Sequence, residues 1–211
     1  MTSPHPPTHQ ALAQRLKGLN IYLVGMMGAG KSAVGRPLAQ SLGYRFLDAD
    51  DAIERVSGRS IAEIFASDGE AGFRDWETAV LGQIATWHSL VVATGGGVVT
   101  RPENWGSMRQ GVVVWLDAPA PLLLERLRRD ATPRPLLTAG NPAERLAELL
   151  KLRQPLYGQA DLRIRQDGAD PSGVADQVLA ELPAILRQPA AAPQGPISLR
   201  DAEGNRTASL N

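Results

Sequence analysis

Eight consecutive residues, Gly25-Met26-Met27-Gly28-Ala29-Gly30-Lys31-Ser32, constrain this chain more than anything else in it. They spell G-x-x-x-x-G-K-S between an apolar run, Ile21-Tyr22-Leu23-Val24, and a helix-like stretch that starts at Lys31. Glycines at these positions let the backbone curl so that successive N–H groups point at phosphate oxygens, at the start of a helix. The lysine adds a point charge for the outer phosphates, and the serine hydroxyl can hold Mg²⁺. The string predicts a strand, a phosphate cradle and a helix in that order. A Gly-rich linker explains neither Lys31-Ser32 nor the flanking pattern.

Bulk composition narrows the classes around that motif. A length of 211 residues suits one domain with a full-sized core and some tail. The 22 basic and 22 acidic residues balance, which argues against a dedicated binder of nucleic acid or of an anionic membrane. Any positive site must be a local cluster. There is no cysteine, so disulfides and thiolate metal sites are excluded. No apolar run is long enough to cross a bilayer, and Met1–His9 lacks a basic region followed by an apolar stretch. A soluble, cytoplasmic protein is expected.

Residues 1–18, with Pro4, Pro6 and Pro7, read as a flexible N-terminal arm holding a short helix at Ala11–Lys17. Residues 188–211 shift to Pro, Ala, Gly and polar residues, a composition too poor in apolar surface to order itself. The domain is expected at 19–187. Within it, strands are predicted at Ile21–Val24, Arg45–Ala49, Leu90–Ala93, Val112–Leu116 and Leu162–Arg165. Several are near-continuous apolar runs, as in a parallel sheet covered on both faces. Helices fit Lys31–Leu42, Ile61–Ala66, Glu70–Thr86, Pro121–Arg129, Pro142–Arg153 and Pro171–Leu182. Ser60 with Glu63 makes a capping box, and Asn141-Pro142 an N-cap with proline at the first helical position. The alternation argues for a doubly wound α/β fold with ligands beyond the carboxyl ends of the strands. Pro37 lies well inside the helix after the cradle, where proline costs about 3 kcal/mol, so a kink is expected there. His5, His9 and His88 read as solvated or structural.

Three further features carry chemistry. In Phe46-Leu47-Asp48-Ala49-Asp50, residues two apart on an extended segment point to one side. Asp48 could then meet a Mg²⁺ shell beside Ser32 while Asp50 accepts a proton from an attacking hydroxyl. Asp117, at the end of the apolar run Val112–Leu116, is a competing metal acid, although Ala118-Pro119-Ala120-Pro121 behind it fits a helix entry; Asp48 is favoured. Thr94-Gly95-Gly96-Gly97 follows a buried strand, where glycines permit close approach of backbone to ligand. Arg74, Arg134 and Arg153 offer planar guanidinium groups suited to bidentate capture of carboxylate or phosphate.

Together these segments closely resemble the shikimate kinase family. The resemblance rests on Gly25–Ser32, Phe46–Asp50, Ser60–Phe65, Gly69-Glu70 with Phe73-Arg74 and Glu77, Thr94–Gly97, Arg134-Pro135-Leu136-Leu137 and Arg153-Gln154-Pro155-Leu156-Tyr157, in the family's order over about Asn20 to Ile185. It implies a nucleoside-monophosphate-kinase-like fold, a five-stranded parallel sheet flanked by helices with a mobile lid loop near residues 130–140. It also implies transfer of the ATP γ-phosphate to the 3-hydroxyl of shikimate, on the route to chorismate and aromatic amino acids.

Carried over by position, the resemblance implies nucleotide contacts at Gly28, Ala29, Gly30, Lys31, Ser32, Ala33 and Arg134. Lys31 would hold the β- and γ-phosphates, with Mg²⁺ on Ser32 and, through water, on Asp48. Asp50 would contact the shikimate hydroxyls as candidate base. Arg74 and Arg153 would grip its carboxylate, with Gly95, Gly96 and Gly97 supplying backbone contacts and Phe65 and Phe73 walling the ring. Arg134 would swing toward the transferring phosphoryl group. Either Arg126 or Arg128 would stack on adenine, and a monomer is expected. The rivals are a gluconate-kinase-like enzyme and a nucleotide-dependent switch, although no N-K-x-D guanine reader is present.

Overall fold

The computed structural model describes residues 9–130, 136 and 141–186. Its frame is a five-stranded, all-parallel sheet of β1 (Ile21–Val24), β2 (Arg45–Asp48), β3 (Leu90–Ala93), β4 (Val112–Asp117) and β5 (Leu162–Arg165), in the spatial order β2-β3-β1-β4-β5. The continuous apolar runs are explained by burial on both faces. Ile21 and Leu23 of β1, with Val112, Val114 and Leu116 of β4, enter one core. Tyr22 and Val24, with Val113 and Trp115, enter the other. Alternate side chains thus serve opposite cores. β5 is an edge strand and alternates buried with exposed residues.

The first core is covered by α1 (His9–Leu16), α2 (Lys31–Leu42), α6 (Ala120–Arg129), α7 (Pro142–Tyr157) and α8 (Pro171–Ile185). The second is covered by α3 (Ala49–Ser57), α4 (Ile61–Ile84) and α5 (Pro102–Met108). Leu12 and Leu16 of α1 are fully buried, and Arg15 donates to the Pro183 and Leu186 carbonyls at 3.1 Å each, so this helix is tied to the end of α8.

Two helices differ from the sequence reading by their presence. α3 begins immediately after β2, with Asp48 as its N-cap accepting from the Asp50 amide at 3.0 Å. Asp50 therefore lies in the first turn of a helix and not on an extended segment. α5 follows a 3₁₀ turn at Val98–Thr100. The stretches expected as separate helices at Ile61–Ala66 and Glu70–Thr86 run together as α4, broken at Gly69 (φ 69°, ψ −174°). Pro37 does not divide α2, which extends through it to Leu42.

Candidate active site

The loop between β1 and α2 turns on glycines. Gly25, Gly28 and Gly30 have φ of 146°, 81° and 81°, a region that costs an L-residue with a Cβ. Lys31 Nζ donates back to the Gly25 and Met26 carbonyls at 2.9 and 3.1 Å. Ser32 Oγ donates to Asp48 Oδ2 at 2.5 Å. The cradle at the end of β1 and the carboxylate at the end of β2 are thus joined directly, although β3 separates these strands in the sheet.

A cleft of about 810 Å³ opens at the carboxyl ends of the strands. Of the expected nucleotide residues, Gly28, Gly30, Lys31, Ser32 and Ala33 line it. Ala29 does not, for its side chain is buried in the first core. Asp48, Asp50, Phe65, Phe73, Arg74, Gly95, Gly96, Gly97 and Arg153 line the same cleft. Arg134 lies outside the described residues. Asp117 is turned elsewhere, accepting from Arg163 Nε and Nη2 at 3.0 and 2.6 Å. Arg126 lines the cleft and Arg128 is exposed.

Each cation in the wall is held in place. Arg74 is 6 % exposed and Arg153 4 %. Arg74 donates to Glu77 Oε2 at 2.7 Å and to Glu70 Oε1 at 3.2 Å. Burial works against its charge, and the two carboxylates outweigh that, leaving its pKa raised. Burial pushes the Glu77 carboxyl up, against the pull of Arg74 and Arg153. Arg153 donates to the Gly96 carbonyl at 3.2 Å, which also accepts from the Tyr157 hydroxyl. Phe65 and Phe73 form a tilted pair with centroids 4.7 Å apart, and the Arg74 guanidinium sits 5.1 Å from the Phe73 centroid.

Two glycines of the triplet, Gly95 and Gly97, are a packing requirement. A Cβ at Gly95 would collide with Glu77 Oε1, and one at Gly97 would overlap the Arg74 guanidinium. The strand end is bare because the buried ion pair of α4 lies against it.

The residue that sequence reading missed is Gln166, just past β5. It is 5 % exposed and bonds both to Arg126 and to the cradle. Its only signal in the sequence is its place at the carboxyl end of a strand, where ligands of such sheets gather.

This geometry agrees with the comparisons with known proteins. Residues 27–183 match the family model described as shikimate kinase. A shikimate kinase of Synechococcus sp. (strain RCC307) is 57 % identical over 182 residues, covering 86 % of this chain and 93 % of the relative. The solved shikimate kinase from Acinetobacter baumannii in complex with shikimate superposes with a TM-score of 0.77 at 43 % identity, covering 82 % of this chain and 97 % of that one. A gluconokinase from Sinorhizobium meliloti 1021, at 19 % identity and a TM-score of 0.55 over 80 % of this chain and 94 % of its own, shares the fold.

Proposed function

The chain belongs to the shikimate kinase family, and from that premise we propose how its cleft transfers the γ-phosphate of ATP to the 3-hydroxyl of shikimate, yielding shikimate 3-phosphate and ADP. The observation that carries the reading is that Arg74, Arg153 and Asp50 line the same cleft as the phosphate cradle. An anionic acceptor and a nucleotide need cations at two ends of one cavity, with a carboxylate between them.

Shikimate enters with its carboxylate toward Arg74 and Arg153, whose buried guanidinium groups are already oriented by Glu77, Glu70 and the Gly96 carbonyl. Phe65 and Phe73 cover one face of its ring. The ATP phosphates lie in Gly28–Ala33 with Lys31 released to them from the loop carbonyls. The 3-hydroxyl oxygen attacks the γ-phosphorus, the bond to the β–γ bridging oxygen breaks, and the hydroxyl proton passes to Asp50 or, where Asp50 only orients the hydroxyl, to an oxygen of the transferred phosphoryl group. Arg134 balances charge on the moving phosphoryl group. Such transfer depends on positioning and charge neutralisation more than on covalent chemistry.

Mg²⁺ fits the Ser32 and Asp48 oxygens, a hydroxyl beside a carboxylate, because this ion prefers few protein oxygens together with water and phosphate. When bound it would neutralise phosphate charge. Among the described residues no helix is long and apolar enough to cross a membrane. We place the enzyme in the cytoplasm as a monomer.

The test is a coupled ADP-release assay across shikimate, quinate and gluconate. Shikimate should give by far the highest kcat/KM; a preference for gluconate, or tight ATP binding with no acceptor-stimulated turnover, would overturn the reading.

A further inference from the structure

The roles proposed for the cleft leave the buried side chain of Gln166 without a task. Gln166 follows the edge strand β5, and its own amide is fixed by donating to the Asp117 carbonyl at 2.8 Å. Its side chain crosses to the phosphate cradle. Gln166 Nε2 donates to the Ala29 carbonyl at 2.8 Å, and Gln166 Oε1 accepts from Arg126 Nη1 at 2.8 Å. The same Arg126 nitrogen reaches the Gly28 carbonyl at 3.3 Å. The amide orientation follows from its partners, since a carbonyl can only accept and a guanidinium can only donate. Glutamine supplies one donor and one acceptor at this length; no apolar or carboxylate side chain of similar size does both.

We infer that Gln166 is a positioning residue for the nucleotide, setting at once the aim of one cradle amide and the place of Arg126. In a trans peptide the N–H of one residue points opposite to the carbonyl of the residue before it. Anchoring the Ala29 carbonyl to Gln166 therefore fixes the direction of the Gly30 N–H, and Gly30 lines the cleft. The Ala29 N–H is separately engaged, donating to the Met26 carbonyl at 3.0 Å. Arg126, on α6, is held over the loop by the other end of the same amide. α6 itself presses on the loop, for a Cβ at Gly28 would come within 3.2 Å of the Leu123 carbonyl and the Leu127 side chain. One side chain thus couples the phosphate end of the nucleotide site to the arginine beside it, and shikimate lies outside this connection.

The inference rests on ATP binding in the cradle, and its test reads nucleotide binding without turnover. ADP affinity is measured by titration calorimetry on the full chain, alongside the KM of each substrate. Gln166→Leu removes one neutral hydrogen bond and one from a charged guanidinium, and should weaken ADP binding and raise the ATP KM about 10-fold, with the shikimate KM within about twofold. Gln166→Glu keeps the size and the acceptor but sets a carboxylate against the Ala29 carbonyl, so it too should weaken ADP binding. In an Arg126→Ala background the Gln166→Leu penalty should shrink, because one of its two targets is gone. ADP affinity unchanged in the folded variants, an equal rise in both KM values, or full additivity with Arg126→Ala would overturn it. Absence of shikimate phosphorylation would sink the reading of the reaction and leave the ADP measurement still decisive here.

Discussion

Arg74 and Glu77, one turn apart on α4, are paired at 2.7 Å, with 7 % and 2 % of their side chains exposed. The pair presses on Gly97 and Gly95. Glu77 Oε1 is buried and takes no hydrogen bond from the described residues. Removing one partner from a buried pair leaves the other charge uncompensated, at about 3–5 kcal/mol. Glu70, half-exposed and 3.2 Å away, would remain beside Arg74, so Glu77→Ala should lower unfolding free energy by about the lower end of that range in urea titrations, Glu77→Gln by less. Both should raise the shikimate KM by loosening Arg74.

Arg74→Ala and Arg153→Ala should act mainly on shikimate. A charge-assisted contact contributes about 1.5–3 kcal/mol, so the shikimate KM should rise roughly 10- to 100-fold. Steady-state kinetics with ATP varied separately should show a much smaller change for the nucleotide.

Gly95→Ala and Gly97→Ala introduce a methyl group where Glu77 Oε1 and the Arg74 guanidinium already lie. Either should weaken shikimate binding while leaving ADP binding near wild type, checked by calorimetry with each ligand. Gly82→Ala is the control. A Cβ there meets nothing within 4 Å, and alanine in a helix interior is worth up to about 1 kcal/mol over glycine, so this variant should be active and at least as stable.

Tyr157 carries an alkaline signature. Burial pushes its phenol up to about 12, against the pull of Arg153. The folded state thus keeps a proton that the unfolded state loses near pH 10. Its contribution to stability is complete below pH 10 and is lost as pH rises from 10 toward 12, by at most about 1.4 kcal/mol per pH unit. Tyr22 and Tyr44 shift in the same direction through burial. Urea midpoints across this window should fall less steeply in Tyr157→Phe than in the wild type, without becoming flat.

Much of this was legible in the sequence for physical reasons. Strands buried on both faces must be apolar throughout, so β1, β3 and β4 stand out, as does Gly25–Ser32, whose cradle needs glycine where φ is positive; the edge strands β2 and β5 are only partly buried and show as short mixed or alternating runs. α3 was hidden because the acid that ends β2 is also the cap of the next helix, and Asp48-Ala49-Asp50 reads equally as an extended segment. α5 is too short to show an apolar period. Gln166 was invisible because its importance lies in two partners, Ala29 and Arg126, distant in sequence. The glycine triplet reads as access for a ligand; that Gly95 and Gly97 also make room for Glu77 and Arg74 is hidden, because those two side chains come from α4, distant in sequence.

The most direct test is a crystal structure of this chain with shikimate, ADP and Mg²⁺. The shikimate carboxylate should lie between Arg74 and Arg153, its 3-hydroxyl facing Asp50, and the ADP phosphates in the Gly25–Ser32 loop. Shikimate seated away from both arginines, or with its 3-hydroxyl turned from Asp50 and the nucleotide, would contradict this arrangement.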